Sequence, residues 1–260
     1  MAELIKRREG AVGWIVFSNP ARYNAMTYDM WREFPETLAA FDADPAVRVV
    51  VLAGDGDKAF VSGADISQFA EHRASGEAQA EYNRVVEEAY LAPVLAAKPV
   101  VAKIRGICMG GGLGIAAACD VRFAADDAVF RMPAARLGLG YSFTGIRRFV
   151  QVLGAANTGD IFFSARKFDA ADALRMGFVS RVIPAAAFDR EVGTYCALVG
   201  ENAPLSLMSA KAAIREVLKD PAARELEALQ RKVDACWASE DYKEGRTAFM
   251  EKRTPNFKGR

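Results

Sequence analysis

Hydrophobic residues in the first half of the chain alternate between short, dense runs and longer stretches with helical spacing. The short runs are rich in Val, Ile, Phe and Ala, which favours buried strands. The predicted strands are 11–18, 48–53, 98–104, 120–124 and 128–132. The predicted helices are 27–42 and 77–97, and Pro35 is expected to break or kink the first of them.

The second half of the chain has a different pattern, in which helical spacing dominates. The predicted helical segments are 155–163, 170–176, 185–199, 204–218 and 221–252, and the last is long enough for more than one helix. The basic tail 253–260 is expected to be peripheral. Strands alternating with helices, followed by a helical run, predict an α/β fold with a helical C-terminal region.

Composition narrows the functional class. The chain has 260 residues, 52% of them hydrophobic and 26% charged, which is typical of a globular domain. A net charge of +1 provides no overall field for nucleic acid or an anionic membrane. We find no apolar run of membrane-spanning length and no secretory signal, so neither a membrane nor a nucleic acid partner is expected.

The cysteines and the histidine offer little for metal or nucleophilic chemistry. Cys108, Cys119, Cys196 and Cys236 lack metal-ligand spacing, so we expect free thiols, a cytoplasmic location and no metal site. The single histidine, His72, lies in a polar segment and is expected to be a solvated loop or helix-end residue. A Ser-His-Asp triad or a His-based acid–base mechanism is therefore disfavoured.

The segment 59–66 follows a predicted strand and carries the first candidate chemistry. Gly63 permits a backbone twist that exposes the next amide, that of Ala64. Asp65 has two interpretations. It is the N-cap of the following helix, with Gln68 completing a capping box, or it is a catalytic base.

The segment 106–114 places three consecutive glycines between a strand and an alanine-rich helix. Such a turn leaves amides uncovered at the positive end of a helix, which suits a phosphate or a developing oxyanion. A tight turn that needs glycine only for steric reasons is the alternative. A dinucleotide fingerprint is disfavoured, because Ile115 stands at its third glycine position.

The segment 132–145 is a glycine-rich loop that enters a helix. It nearly matches G-x-S-x-G, but Thr144 stands at the last position, so a nucleophile elbow is disfavoured. Tyr141 is a candidate hydrogen-bond donor, and a packed tyrosine is the alternative.

Five collinear motifs resemble the crotonase (enoyl-CoA hydratase/isomerase) superfamily over nearly the whole chain, from Gly13 to Lys258. They are Asn19-Pro20 with residues 23–26, then 62–66, 110–112, 170–180 and 240–257. The resemblance implies a spiral of ββα units, 1–195, that binds acyl-CoA, and a C-terminal helical region, 196–260. It also implies a homotrimer, or a hexamer made of two trimers.

The resemblance further implies a coenzyme A thioester as substrate, without a permanently bound cofactor. The backbone amides of Ala64 and Gly111 match the family's oxyanion hole, which stabilises a thioester enolate. The residues expected along the coenzyme A path are Arg22, Tyr23, Ser62, Asp65 and Ile66. Phe249 and Lys252 match positions that touch the nucleotide end from a neighbouring subunit, and a packed aromatic ring and a solvated charge are the alternatives.

Two positions depart from the hydratases of this family. Gly114 and Ala134 stand where the resemblance places the two glutamates that transfer protons, so neither can exchange a proton through its side chain. Residues 136–141 and 145–146 resemble methylmalonyl-CoA decarboxylase, which has a tyrosine at the position of Tyr141. That enzyme nevertheless has histidine where Ala64 stands and glutamate where Gly114 stands.

Three functions follow from these departures. Decarboxylation of a malonyl-type acyl-CoA is preferred, because it forms the enolate without a base, and Arg136 is a candidate partner for the substrate carboxylate. The first alternative is a hydratase or isomerase with a displaced acid or base, for which Glu201 and Asp160 are candidates. The second alternative is a non-catalytic acyl-CoA binder.

Overall fold

From the third to the eighth strand, consecutive strands alternate between two sheets, which gives the core of this α/β chain a spiral course. The structure is a computed structural model that describes residues 2–68 and 75–260. Within these residues the strands are β1 (Glu3–Glu9), β2 (Val12–Ser18), β3 (Val49–Gly54), β4 (Ala59–Val61), β5 (Val100–Ile104), β6 (Ile107–Met109), β7 (Val121–Ala125), β8 (Val129–Arg131), β9 (Lys167–Asp169) and β10 (Arg181–Ile183).

The larger sheet has the order β1-β2-β3-β5-β7-β10 and is parallel except for the β1–β2 pair. The smaller sheet has the order β4-β6-β8-β9 and is parallel except for the β8–β9 pair. Each of β3, β5 and β7 is followed directly by its neighbour β4, β6 or β8 in the other sheet. The carboxyl ends of β4, β6 and β8 therefore meet at one edge of the smaller sheet.

Helices surround both sheets and make up the C-terminal region. They are α1 (Tyr28–Ala43), α2 (Gly76–Leu95), α3 (Gly111–Ala118), α4 (Phe143–Ser164), α5 (Ala170–Arg175), α6 (Phe188–Gly200), α7 (Pro204–Val217), α8 (Leu226–Ala238) and α9 (Glu240–Glu251). Within the described part of the chain, no helix combines the length and the apolar composition that crossing a membrane requires.

The strand β3 explains why the central runs of the sequence are continuously hydrophobic. Val50 and Leu52 point into the core that the sheet shares with α1 and α3. Val49 and Val51 point to the opposite face, where they pack with Phe188 of α6. A parallel strand that is covered on both faces needs apolar residues at every position.

The structure confirms the five predicted strands, with ends displaced by at most two residues. It adds β1, which has only Leu4 buried and therefore lacks the alternation that predicts a strand. It also adds four strands of three residues, which are too short to show a period: β4, β6, β9 and β10.

The predicted helices are confirmed with two differences. The helix α1 runs through Pro35 without interruption, so the expected break is wrong. The helix expected at 155–163 is the second half of α4, which already begins at Phe143 and is broken at Gly154, where φ is 73°. The segment 221–252 contains α8 and α9, as expected of a run with more than one helix.

The basic tail is on the surface but is held in place. The backbone amides of Lys258 and Gly259 donate to the carboxylate of Asp241 at 2.6 and 2.7 Å, and Arg48 donates to the carbonyl of Phe257. The division between residues 195 and 196 falls inside α6, and it stays a prediction. His72 lies outside the described residues, so its expected solvated position also stays a prediction.

Candidate active site

A cavity of about 450 Å³ lies at the edge where the carboxyl ends of the smaller sheet meet. The loops that follow β4, β6 and β8 supply one side of it, because parallel strands bring their ends together. The side chains and backbone of α2 supply the opposite side. The residues that line it after these strands are Ser62, Gly63, Ala64, Gly110, Gly111, Pro133 and Ala134.

The amide of Ala64 is turned away from the nearest backbone. Met26 pairs with Ala64 as a parallel bridge, in which the Met26 amide donates to Gly63 and the Asp65 amide donates to Met26, both at 2.8 Å. The N–H of Ala64 itself points to the other side of this bridge. Gly63 has a φ of 124°, a conformation that L side chains rarely adopt and that fixes this turn.

The amide of Gly111 begins α3, where the first N–H groups have no partner within the helix. A Cβ atom placed on Gly111 would lie 3.6 Å from the amide nitrogen of Ala64, so the two turns adjoin. Within the described residues, no carbonyl or side chain accepts a hydrogen bond from either amide. Two uncovered donors thus lie side by side in the cavity wall.

The glycine cluster also has a steric reason. A Cβ atom on Gly112 would lie 2.2 Å from the carbonyl oxygen of Val61, and one on Gly111 would lie 2.9 Å from the Trp31 ring. Only glycine permits α3 to approach β4 so closely. The two interpretations of the cluster are therefore compatible, because the close packing is what brings the Gly111 amide beside Ala64.

Two arginines lie at the other end of α3, of which Arg122 is buried and Arg148 is partly buried. Arg122 donates to the carbonyl of Cys119 at 2.6 Å, and Arg148 donates to the carbonyl of Ala117 at 2.7 Å. Burial lowers the pKa of Arg122 to about 10, which leaves it protonated at neutral pH. These cations complement the negative end of the helix, while its positive end faces the cavity.

Asp65 is a buried carboxylate with partners on two segments. It accepts a hydrogen bond from Arg22 at 2.8 Å and from the Ser67 amide and hydroxyl at 3.1 and 2.7 Å. It therefore caps the short 3-10 helix Ile66–Gln68. The expected capping box is wrong in one respect, because the side chain of Gln68 accepts from the Tyr28 amide and so reaches the first turn of α1.

The segment before α1 supports the loop that carries Ser62. The hydroxyl of Ser62 donates to the carbonyl of Arg22 at 3.0 Å, and its amide donates to the carbonyl of Tyr23 at 3.1 Å. Tyr23 and Asn24 both have positive φ values, 52° and 58°. Asn24 is buried, and its side-chain Nδ2 donates to the carbonyl of Ala59 at 2.7 Å, which fixes this unusual backbone.

Tyr141 lies in the cavity wall and is also packed. Its ring meets Phe162 edge to face, with 5.1 Å between centroids. Residues 137–142 of the loop around it, with 144 and 145 from the first turn of α4, line the same wall. This position agrees both with a hydrogen-bond donor to a bound substrate and with a packed tyrosine.

The structure brings together only some of the residues expected from the sequence. Those that line the cavity are Ala64, Gly111, Tyr141, Ser62 and Ile66. Arg22, Tyr23 and Asp65 lie behind the loop that carries Ala64. The lining does not include Phe249, which lies on α9, or Lys252, which follows the end of that helix. It also does not include the three charged candidates Arg136, Asp160 and Glu201.

Sequence reasoning missed the face of α2. Six of its residues line the cavity at the spacing of one helical stripe: Gln79, Tyr82, Asn83, Val86, Glu87 and Tyr90. Among the described residues, Glu87 is the one charged side chain in the lining. The sequence does contain a signal for this face, namely a helical stripe that mixes aromatic and polar residues. A helix face that packs only against a core is apolar, so a mixed stripe indicates a different environment.

Comparisons with known proteins agree with this architecture. The family model described as enoyl-CoA hydratase/isomerase matches residues 7–260. A crotonyl-CoA hydratase from Syntrophomonas wolfei is 31% identical over 254 residues, covering 98% of this chain and 97% of the relative. A probable enoyl-CoA hydratase from Rhizobium meliloti is 34% identical over 266 residues, covering 99% and 98%.

A solved structure has the same fold over the whole length of this chain. The crystal structure of an enoyl-CoA hydratase/carnithine racemase from Magnetospirillum magneticum superposes with a TM-score of 0.93 and 32% sequence identity. The match covers 100% of this chain and 97% of that one. The expected crotonase-type α/β fold is confirmed, and the chain belongs to the enoyl-CoA hydratase/isomerase family.

Proposed function

We propose that the cavity binds an acyl-CoA thioester and stabilises its enolate between the amides of Ala64 and Gly111. The observation that carries this proposal is the pair of uncovered N–H groups, which adjoin in the wall of the cavity. A donor preorganised toward a developing oxyanion contributes about 10²–10³-fold in rate. The α3 dipole acts in the same direction, because its positive end faces the site.

Coenzyme A is proposed to lie along the loop that holds Ala64. Ser62 and Ile66 line the cavity at this loop, and the side chain of Ile66 is 68% exposed. Arg22 and Asp65 contribute by holding the loop through their ion pair, and Tyr23 contributes through its backbone. The apolar surface of Ile66 suits the pantetheine chain or the adenine ring.

Hydration, isomerisation and decarboxylation all pass through a thioester enolate. The charges of the residues that line the cavity favour some of these reactions over others. Within the described residues no cation lines the cavity to hold a substrate carboxylate, and Arg136 is exposed outside it. Glu87 would repel such a carboxylate. We therefore place proton transfer on an uncharged acyl chain first, as in the addition of water to an enoyl-CoA or its isomerisation.

Decarboxylation of a malonyl-type acyl-CoA is the second candidate. It is favoured by Gly114 and Ala134, which have no carboxylate to offer. Loss of CO₂ leaves the electron pair on Cα, and the two amides stabilise the resulting enolate without a base. The relatives named as hydratases support the first candidate, and the resemblance of residues 136–141 supports the second.

The test is incubation of the protein with crotonyl-CoA and with methylmalonyl-CoA, each followed by mass. Gain of one water from crotonyl-CoA supports the first candidate, and loss of CO₂ from methylmalonyl-CoA supports the second. A non-catalytic binder would hold both thioesters and convert neither. Absence of binding to either thioester would contradict the proposal as a whole.

We also propose that copies of this chain associate through their C-terminal helices, as a trimer or a hexamer. Large apolar side chains on α8 and α9 are exposed, with Trp237 at 60%, Phe249 at 82% and Met250 at 79%. Burying such a surface against a second copy removes it from water. Light scattering on the purified protein measures the assembly, and a monomer at micromolar concentration would contradict this proposal.

A further inference from the structure

The charges on α2 divide into an outer set and one inner residue. Arg84 pairs with Glu81 at 2.7 Å and with Glu88 at 2.5 Å, and all three side chains are about half exposed. Glu87 is partly buried and belongs to the stripe that lines the cavity. Within the described residues it forms no ion pair, whereas its neighbour Glu88 does.

The ring of Tyr90 explains why position 114 carries no side chain. A Cβ atom on Gly114 would lie 2.6 Å from this ring, so a side chain cannot stand there unless Tyr90 moves. The same ring meets Trp31 edge to face at 5.7 Å, and Trp31 in turn abuts Gly111. Tyr90 thus reaches from α2 to the helix whose first amide is the proposed oxyanion donor.

Glu87 precedes Tyr90 by three residues, which is close to one turn of the same helix face, about 4.5 Å along the axis. Val86 and Asn83 flank it on this stripe. Glu87 therefore lines the cavity one helical turn from the ring that closes position 114. It is the one ionisable carboxylate in the described lining, which also includes Ala64 and Gly111.

We propose that Glu87 is the general base of this site, in place of the carboxylates missing at Gly114 and Ala134. This inference rests on the proposed function. In hydration, Glu87 accepts a proton from water while the water oxygen bonds to Cβ of the enoyl thioester. The C=C electron pair shifts toward the carbonyl and forms the enolate, which the amides of Ala64 and Gly111 hold.

The second half of the reaction uses the same proton. The carboxylic acid of Glu87 returns it to Cα, the enolate electron pair forms the Cα–H bond, and the thioester carbonyl is restored. Glu87 ends as a carboxylate, so one residue serves both steps. With a saturated thioester, the same carboxylate removes and returns an α-proton without net reaction.

The experiment follows deuterium entering Cα of butyryl-CoA in D₂O, measured by mass. A positioned general base contributes about 10²–10⁴-fold, so E87Q is expected to lose exchange by about that factor. E88Q is the matched control, because Glu88 lies one residue further on the exposed face. E88Q is expected to exchange within threefold of the unmodified protein. Calorimetry with butyryl-CoA checks that E87Q still binds.

The outcomes separate this inference from the function on which it rests. Exchange by the unmodified protein and by E87Q at similar rates overturns the role of Glu87 and leaves enolate formation standing. Binding of butyryl-CoA without exchange by the unmodified protein overturns both the role of Glu87 and proton transfer as the first candidate reaction, and leaves decarboxylation as the remaining candidate. Loss of binding in E87Q, with exchange per bound molecule unchanged, assigns Glu87 to substrate binding and likewise overturns its role as base.

Discussion

The ring of Tyr90 occupies the space beside Gly114 into which a side chain would extend. A Cβ atom on residue 114 would lie 2.6 Å from Cε1 and from Cζ of Tyr90, and 2.9 Å from its hydroxyl oxygen. This relationship lets α2 pack closely on α3, with the ring inserted between the two helices. The tyrosine at position 90 and the glycine at position 114 therefore depend on each other.

The first prediction concerns this coupling. G114A is expected to destabilise the protein by about 1 kcal/mol, because overpacking costs about 1–3 kcal/mol and the gain in helix propensity returns only about 1. In a Y90A background the obstructing ring is absent. There, G114A is expected to stabilise the protein by up to about 1 kcal/mol. Urea unfolding of the four proteins measures both values.

Gly193 provides the control for that cycle. It lies on the exposed face of α6, and a Cβ atom placed on it would meet nothing within 4 Å. G193A is expected to stabilise the protein by about 0.5–1 kcal/mol through helix propensity alone. If G114A behaved like G193A in the presence of Tyr90, the proposed coupling would be absent.

The second prediction tests the amide of Gly111. G111P removes the N–H, whereas G111A retains it and introduces the same Cβ near Trp31, at 2.9 Å. Because proline is tolerated at the first position of a helix, both variants are expected to fold. G111P is expected to exchange the α-proton of butyryl-CoA about 10²-fold more slowly than G111A.

The comparison of these two variants separates the loss of the N–H, whose place the proline Cδ takes, from the steric effect of the Cβ atom. Circular dichroism and thermal unfolding show whether each variant is folded. Equal exchange rates in folded G111P and G111A would remove the Gly111 amide from the mechanism, whatever the absolute loss in either.

The two oxyanion amides could be predicted from the sequence, whereas the α2 face on the other side of the cavity could not. Gly63 and the glycines at 110–112 follow strands, and a glycine after a strand predicts an unusual turn whatever the tertiary fold. Glu87 carries no such local mark. Its place in the cavity depends on how α2 packs against the strand ends, and this packing brings together residues far apart in the sequence.

A dependence on tertiary pairing also explains why the sequence did not predict the strand β1. The strand β3 was predicted because both faces are buried, which makes every position apolar. The strand β1 pairs only with β2 at the edge of the sheet, and five of its six exposed positions carry charged residues. Pairing at an edge is a backbone interaction, so it leaves no hydrophobic pattern.

The third prediction concerns the hydroxyl of Tyr141. Y141F retains the ring, which packs against Phe162, and removes only the hydroxyl. If the hydroxyl donates to the thioester or its enolate, turnover falls by about 3- to 10-fold, which corresponds to about 0.5–1.5 kcal/mol for a hydrogen bond. Affinity for butyryl-CoA is expected to change little. Unchanged turnover would leave Tyr141 with a packing role alone.

The fourth prediction separates the two interpretations of Asp65. As the cap of a short helix and the partner of Arg22, Asp65 is expected to contribute about 1–2 kcal/mol to stability. The contribution of the ion pair itself is small, because the Arg22 side chain is 52% exposed. D65A is expected to show this loss in urea unfolding, and D65N a smaller one.

The exchange rate of the same variants tests the alternative. A structural Asp65 predicts that folded D65N exchanges the α-proton of butyryl-CoA within about tenfold of the unmodified protein. A catalytic base would lose about 10²–10⁴-fold. A loss of that size in D65N, with E87Q unaffected, would exchange the roles proposed for Asp65 and Glu87.

The fifth prediction concerns pH and the C-terminal tail. Hydrogen bonds from Arg253 and from the Asn256 amide lower the pKa of Glu244 to about 2. Because the folded pKa lies below the ordinary value of 4.5, the stabilisation from Glu244 is fully present above pH 4.5. It is lost progressively as the pH falls from 4.5 toward 2. The tail is therefore expected to loosen in acid before the core unfolds.

Hydrogen exchange at the Asn256 amide measures this loosening, because that N–H donates directly to Glu244 at 2.8 Å. At neutral pH, E244Q is expected to exchange this amide faster than the unmodified protein. The difference in exchange rate between the two proteins should shrink as the pH falls below 4.5. Protonation then removes the negative charge of Glu244 from the unmodified protein, and E244Q lacks that charge at every pH. E227Q, at an exposed position on α8, serves as the control. A difference that stays constant down to pH 2 would show that the carboxylate charge does not hold the tail.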